Sequence, residues 1–178
     1  MNLQGKTWKF GHDINTDLLL PVPVVFMPAE EQAKHVMEAN RPGWTQQVRP
    51  GDILVAGRNF GMGSGRPAAR AVKGTGIACV LAESINGLYF RNSVNYGLWA
   101  MEVPGVHAAF KEGDVAEVDF EAFTVRNARS GKVLQGLPYP QSLLDILQAG
   151  GVFPMLDAKG LLLPKLPASG GRARRPSA

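Results

Sequence analysis

The chain has 178 residues, 45% of them hydrophobic and 19% charged, a size and mix that suit one globular domain with a substantial core. Its formal charge of +4 is concentrated by Arg172, Arg174 and Arg175 near the end, which leaves the body close to neutral. With no basic stripe interleaved with aromatics, this pattern argues against a nucleic-acid binder. The single cysteine, Cys79, excludes an intrachain disulfide and cannot alone hold a structural zinc or an iron–sulfur cluster. Within the apolar run 77–82 it reads as a buried, inert thiol. No apolar run reaches about 18 residues and no signal peptide is visible, so a cytoplasmic protein without a membrane anchor is expected.

Residues 7–10 alternate as a half-buried strand does and lead into a polar turn, 11–17. In that turn Asp13, Thr16 and Asp17 either cap backbone donors or help position a site; with His12 lacking a second histidine nearby, a metal centre is the weaker reading. Residues 18–28 are apolar but carry Pro21, Pro23 and Pro28, which predicts an extended segment or loop covering a pocket or meeting a partner. A surface helix is expected over 29–39, with Ala33, Val36 and Met37 inward and His35 in solvent. Pro50-Gly51 opens a buried strand over 52–55, a helix is expected over 68–74, and an apolar strand over 77–82. That βαβ-like unit points to an α/β architecture.

A second helix is predicted over 83–98, with Leu88, Tyr89, Val94 and Leu98 as its core stripe and Gly97 past its end, followed by a strand over 99–103. Beyond Gly113 the pattern changes to short antiparallel strands at 116–120, 123–127 and 133–136. A last helix is expected over 140–150, with Leu143, Leu144 and Leu147 inward and Gly150-Gly151 stopping it. One domain is expected over 1–165 and a disordered basic tail over 166–178, with Leu161-Leu162-Leu163 docking on the body or on another chain.

Between the strand and the helix at 68–74 lies a loop with Gly57, Gly61, Gly63 and Gly65, among which stand Arg58, Ser64 and Arg66. Glycines allow close backbone approach, and free N–H groups with the following helix start favour an anion. Neither the dinucleotide fingerprint, the P-loop nor the nucleophile elbow fits the spacing. A serine and an arginine two apart on an N–H-rich turn remain, either as a site or as a tight connection with a solvated arginine.

Longer runs carry a resemblance. Ile14-Asn15-Thr16-Asp17-Leu18-Leu19-Leu20-Pro21 and Gly57-Arg58-Asn59-Phe60-Gly61-Met62-Gly63-Ser64-Gly65-Arg66 stand in order with Ala82-Glu83-Ser84, Phe90-Arg91-Asn92, Asn95-Tyr96-Gly97-Leu98 and Ala149-Gly150-Gly151. Over roughly 7–152 the chain resembles the small subunits of isopropylmalate dehydratases, the counterpart of aconitase's swivelling domain. The resemblance implies a swivelling β/β/α three-layer α/β domain and hydro-lyase (dehydratase or isomerase) chemistry on a hydroxy-carboxylic acid. It also implies a large-subunit partner that carries the 4Fe–4S cluster, with none bound by this chain. Ser64 takes the position of the catalytic base, and Arg66 that of the carboxylate-binding arginine, with Gly63 and Gly65 beside them. A free serine hydroxyl is a poor base at neutral pH, so donors and positive charge around its oxygen are needed.

The chain departs from that family at three places. Gly65 replaces a second serine, Pro67-Ala68 replaces Glu-His, and Met62 replaces the usual cysteine. The specificity stretch reads Val22-Pro23-Val24-Val25-Phe26-Met27, so Val24, Val25 and Phe26 are expected as an apolar substrate wall for an alkyl or aryl group. A catalytically degenerate paralogue acting as a scaffold, and a stand-alone anion-binding module, are the competing expectations.

Overall fold

Strand β1 (Asn2–Lys9) serves two halves of one sheet. Its Thr7–Lys9 end runs parallel to Ile53–Val55 of β2 (Ile53–Ala56), whereas Asn2–Lys6 pairs antiparallel with β5 (Val115–Asp119). Gly5 stands in the crossing region, where a Cβ would collide with the Gly51 carbonyl. The computed structural model describes residues 1–162. On one side of β1 and β2 follow β3 (Cys79–Ala82) and β4 (Trp99–Glu102), all parallel. Beyond β5 lie β6 (Thr124–Asn127) and β7 (Val133–Gln135), both antiparallel, giving the order β4-β3-β2-β1-β5-β6-β7.

The central parallel strands β2 and β3 are apolar throughout because both of their faces are covered. Leu54, Ala56, Val80, Ala82 and Ala100 turn to a core shared with the helices, through Ala68, Ala69 and Val72 of α4 (Ala68–Gly74) and Tyr89 of α5 (Gly87–Tyr96). Their neighbours Ile53, Val55, Cys79, Leu81, Trp99 and Met101 turn the other way, onto Val118, Phe120 and Val125 of the antiparallel half. Period-2 alternation thus builds helices, parallel sheet and antiparallel sheet as three layers, the β/β/α arrangement expected. Each fully buried Leu, Ile or Phe in these cores contributes roughly 1.5–3 kcal/mol. Cys79 is fully buried, and that burial pushes its thiol pKa far up, as an inert core thiol requires.

Several elements differ from expectation. Residues 18–28 are not one extended segment: α1 (Thr16–Leu19) and a 3₁₀ turn, Val22–Val24, divide them. Pro23 sits in the first turn, where a missing N–H costs nothing, so proline interrupts helix here without excluding it. The helix expected over 29–39 ends early, as α2 (Ala29–Lys34). Met37 takes φ 62°, donates its N–H to the Leu19 carbonyl and is fully buried, so the core decides the bend. The helix expected from 83 begins at 87, because Glu83 still bonds to the Ala56 and Gly57 carbonyls and Asn86 caps the Leu88 amide. Gly97 ends it with φ 66° as predicted.

The strand expected at 7–10 begins at Asn2. Three short helices lacked a periodic signal: α3 (Trp44–Gln47), α6 (Val106–Ala109) and, after α7 (Gln141–Gln148), α8 (Val152–Ala158). Leu161 and Leu162 are exposed rather than docked on the body, and Leu163 and the tail predicted over 166–178 lie outside the described residues. No helix among the described residues is long and apolar enough to cross a membrane.

Candidate functional site

The glycine loop leaves the carboxyl end of β2 and meets the segment that leaves the carboxyl end of β1. Four backbone hydrogen bonds lock them: Gly57 N–H donates to the Gly11 carbonyl (3.0 Å), Asp13 N–H to the Arg58 carbonyl (2.8 Å), Gly61 N–H to the Ile14 carbonyl (2.7 Å) and Thr16 N–H to the Met62 carbonyl (2.8 Å). Upstream, the Arg58 N–H donates to His12 Nδ1 (2.9 Å), and the Asn59 amide to Asp13 Oδ1 (2.7 Å). His12 therefore supports the loop backbone, and Asp13 braces a side chain of the same loop. Asn15 caps the Leu18 amide at 2.9 Å.

Ser64 lies at the exposed tip and makes three contacts, two with the Thr16 hydroxyl and one with Arg66. Its N–H donates to Thr16 Oγ1 at 3.1 Å, its Oγ lies 3.4 Å from that same oxygen, and its Oγ accepts from Arg66 Nε at 2.8 Å. Gly63 adopts φ 112°, and a Cβ there would stand 2.8 Å from Thr16 Oγ1, so the contact with Thr16 requires glycine. Gly65 has no such constraint: its Cβ would meet only the Leu88 side chain, at 3.5 Å, an ordinary contact. The serine-to-glycine departure at this position is therefore not demanded by the backbone. Among the described residues the Gly65 and Arg66 amides have no acceptor within the chain, which leaves them open to an incoming anion.

Arg66 is the organising side chain. Besides Ser64, it donates through Nη1 to the Leu20 carbonyl (2.8 Å) and pairs through Nη2 with Asp17 (2.7 Å). The guanidinium is only 12% exposed while Asp17 is 63% exposed, so the arginine is fixed and its acid partner faces solvent. These bonds leave one N–H on each terminal nitrogen for a ligand. Thr16 and Asp17 thus join Ser64 and Arg66 in the candidate site; the Thr16-Asp17 pair ahead of the apolar run was the signal for them. The Leu20 carbonyl had no signal in the sequence.

The predicted apolar wall divides. Val24 is buried in the core, Val25 is half-buried, and Phe26 is 90% exposed, so Phe26 alone of the three is fully presented outward. Buried Gln32 holds that turn, donating to the Val25 carbonyl (2.7 Å) and the Met27 carbonyl (2.9 Å) and accepting from Arg70 (3.1 Å). A groove of about 280 Å³ lines the other flank of the loop, between Asn59, Met62, Ser84, Ile85 and Asn86. Among the described residues no group of three or more His, Cys, Asp or Glu side chains is placed to hold a metal.

These features coincide with clear similarities. The Aconitase C-terminal domain family matches residues 27–105, which include the whole glycine loop. The chain is 42% identical over 159 residues to the isopropylmalate/citramalate isomerase small subunit of Methanocaldococcus jannaschii, covering 88% of this chain and 95% of that one. It is 41% identical over 160 residues to a 3-isopropylmalate dehydratase small subunit of Methanopyrus kandleri, covering 89% and 94%. The crystal structure of a 3-isopropylmalate dehydratase from Methanocaldococcus jannaschii superposes with a TM-score of 0.85 at 32% identity, covering 90% of this chain and 96% of that one. With this fold, this loop and this extent of identity, the chain belongs to the family of isopropylmalate dehydratase small subunits.

Proposed function

We propose that the chain is the small subunit of a cytoplasmic aconitase-type hydro-lyase acting on a hydroxy-carboxylic acid such as 3-isopropylmalate or another alkyl-substituted malate. It caps the active centre of a large subunit and contributes Ser64 as the base. A 4Fe–4S cluster on that large subunit would supply the Lewis acid for the substrate's hydroxyl and carboxylate. The observation that carries the reading is the 2.8 Å hydrogen bond from Arg66 Nε to Ser64 Oγ at the tip of the glycine loop.

This chain's own part is proton abstraction. An alkoxide at Ser64 Oγ takes the proton from the carbon α to a substrate carboxylate. A cationic donor at 2.8 Å lowers the cost of that alkoxide and stays in place when the charge appears. The Gly65 and Arg66 amides, which have no acceptor among the described residues, receive a carboxylate of the substrate together with the remaining N–H groups of Arg66. Phe26 offers an apolar surface to the substrate's alkyl group, with Val25 behind it and Val24 anchoring the turn.

The test is reconstitution. The chain is co-expressed with a large subunit of this family, and dehydration of 3-isopropylmalate and citramalate is followed. Turnover that disappears with Ser64→Ala in a complex that still assembles supports the base assignment. A complex that turns over equally well with Ser64→Ala indicates the scaffold role instead.

A further inference from the structure

We infer that Thr16 is a positioning residue for the base, one that holds the Ser64 backbone and donates its hydroxyl proton to the Ser64 oxygen once that oxygen is charged. This rests on the assignment of Ser64 as base. Thr16 is 2% exposed, at the first residue of α1, and its hydroxyl oxygen accepts the Ser64 N–H at 3.1 Å. An alcohol has one proton and two lone pairs. With one lone pair used by Ser64 N–H, the Thr16 proton needs an acceptor, and among the described residues its hydrogen-bonding neighbour is Ser64 Oγ at 3.4 Å.

The direction of that contact follows from the charge state. With a neutral serine either hydroxyl can donate. With an alkoxide Ser64 has no proton, so Thr16 must be the donor. Ser64 Oγ then accepts from two sides, Arg66 Nε at 2.8 Å and Thr16 Oγ1. At 3.4 Å the second bond is long for O–H···O, as catalytic hydrogen bonds are before substrate and charge draw them in. The surroundings match the task. Gly63 leaves the space that Thr16 Oγ1 occupies, and Thr16 N–H is tied to the Met62 carbonyl at 2.8 Å, so the hydroxyl is fixed from both ends.

The experiment compares Thr16→Val, Thr16→Ala and Thr16→Ser in the assembled two-subunit enzyme, with Ser64→Ala beside them. Expected for Thr16→Val and Thr16→Ala is a kcat about 100-fold lower with KM little changed, since a donor to the developing charge is gone. The alkaline rise of kcat moves to higher pH, and Thr16→Ser restores both. In the small subunit alone, hydrogen exchange at the Ser64 amide becomes faster in Thr16→Val and not in Thr16→Ser. If Ser64→Ala is inactive while Thr16→Val and Thr16→Ala keep full kcat, the role of Thr16 is overturned and the base stands. If Thr16→Ser is as impaired as Thr16→Val, the methyl group matters rather than the proton, and the inference fails. Turnover that survives Ser64→Ala removes the base itself.

Discussion

The carboxylate of Asp17 holds Arg66 Nη2 at 2.7 Å, and the same guanidinium reaches Ser64 Oγ through Nε at 2.8 Å. Asp17 from the segment after β1 and Ser64 and Arg66 from the loop after β2 therefore act as one unit. A fork with a fixed third donor does what an ammonium cannot. Arg66→Lys is expected to lower kcat by roughly 100-fold or more and to raise KM as well, because both the contact to Ser64 and the planar grip are lost. Steady-state kinetics of the reconstituted enzyme check this, and a variant changed in KM alone would detach Arg66 from Ser64.

Two neighbouring glycines predict opposite outcomes. Gly63→Ala forces φ 112° on a residue with a Cβ and places that Cβ 2.8 Å from Thr16 Oγ1. It is expected to cost about 1–3 kcal/mol and most of the activity. Gly65→Ser meets only the Leu88 methyls at 3.5 Å, so the fold should be unchanged within about 0.5 kcal/mol. Thermal melts of the two variants, measured side by side, decide it.

Phe26 and Val24 sit two residues apart with opposite exposures, 90% and 6%. Phe26→Ala should leave the melting temperature unchanged and lower kcat/KM for alkyl-bearing acids by about 10–200-fold, the value of lost apolar contact in a pocket. Val24→Ala should cost about 2 kcal/mol of stability through a core cavity. Denaturant unfolding and a substrate panel separate the two effects.

Asp114 is buried; burial pulls its pKa up, but the Lys111 amide, Asn127 and Arg129 outweigh that and hold the carboxyl below its ordinary value. A carboxyl depressed in the folded state contributes stability that is complete above its unfolded pKa, about 4, and lost as pH falls through the lower folded value. Acid unfolding should therefore steepen below about pH 4. Asp114→Asn should flatten that limb and cost about 1–3 kcal/mol at neutral pH, read by urea melts across pH.

His107 shows the opposite charge case. Burial, then Lys9 and His12, favour its neutral form and hold its pKa below 6.5, against Glu83 and the Phe10 backbone. Its imidazole should titrate by NMR below the free histidine value. Stability should fall as pH drops from about 6.5 toward that lower midpoint, since the unfolded chain binds the proton first. A midpoint above 6.5 would contradict the packing against His12, whose ring centroid lies 4.7 Å away.

Local pattern carried much of this protein. The apolar strands Ile53–Ala56 and Cys79–Ala82, the alternating strands after Gly113, and Gly97 at a helix end follow from side-chain period and backbone freedom, both properties of neighbours in sequence. The motif around Ser64 and Arg66 was equally visible, because a glycine-rich turn must be written in consecutive residues. What only tertiary structure decided was long-range. Met37 is buried as the helical pattern expects, yet it reaches the core at positive φ and bonded to the Leu19 carbonyl, beyond the early end of Ala29–Lys34. Val24 and Phe26 read alike in sequence, yet packing buries one and exposes the other. Thr16 meets Ser64 across 48 positions, since two parallel strands end side by side and bring their loops together. No local preference encodes that meeting; the register of β1 against β2 does.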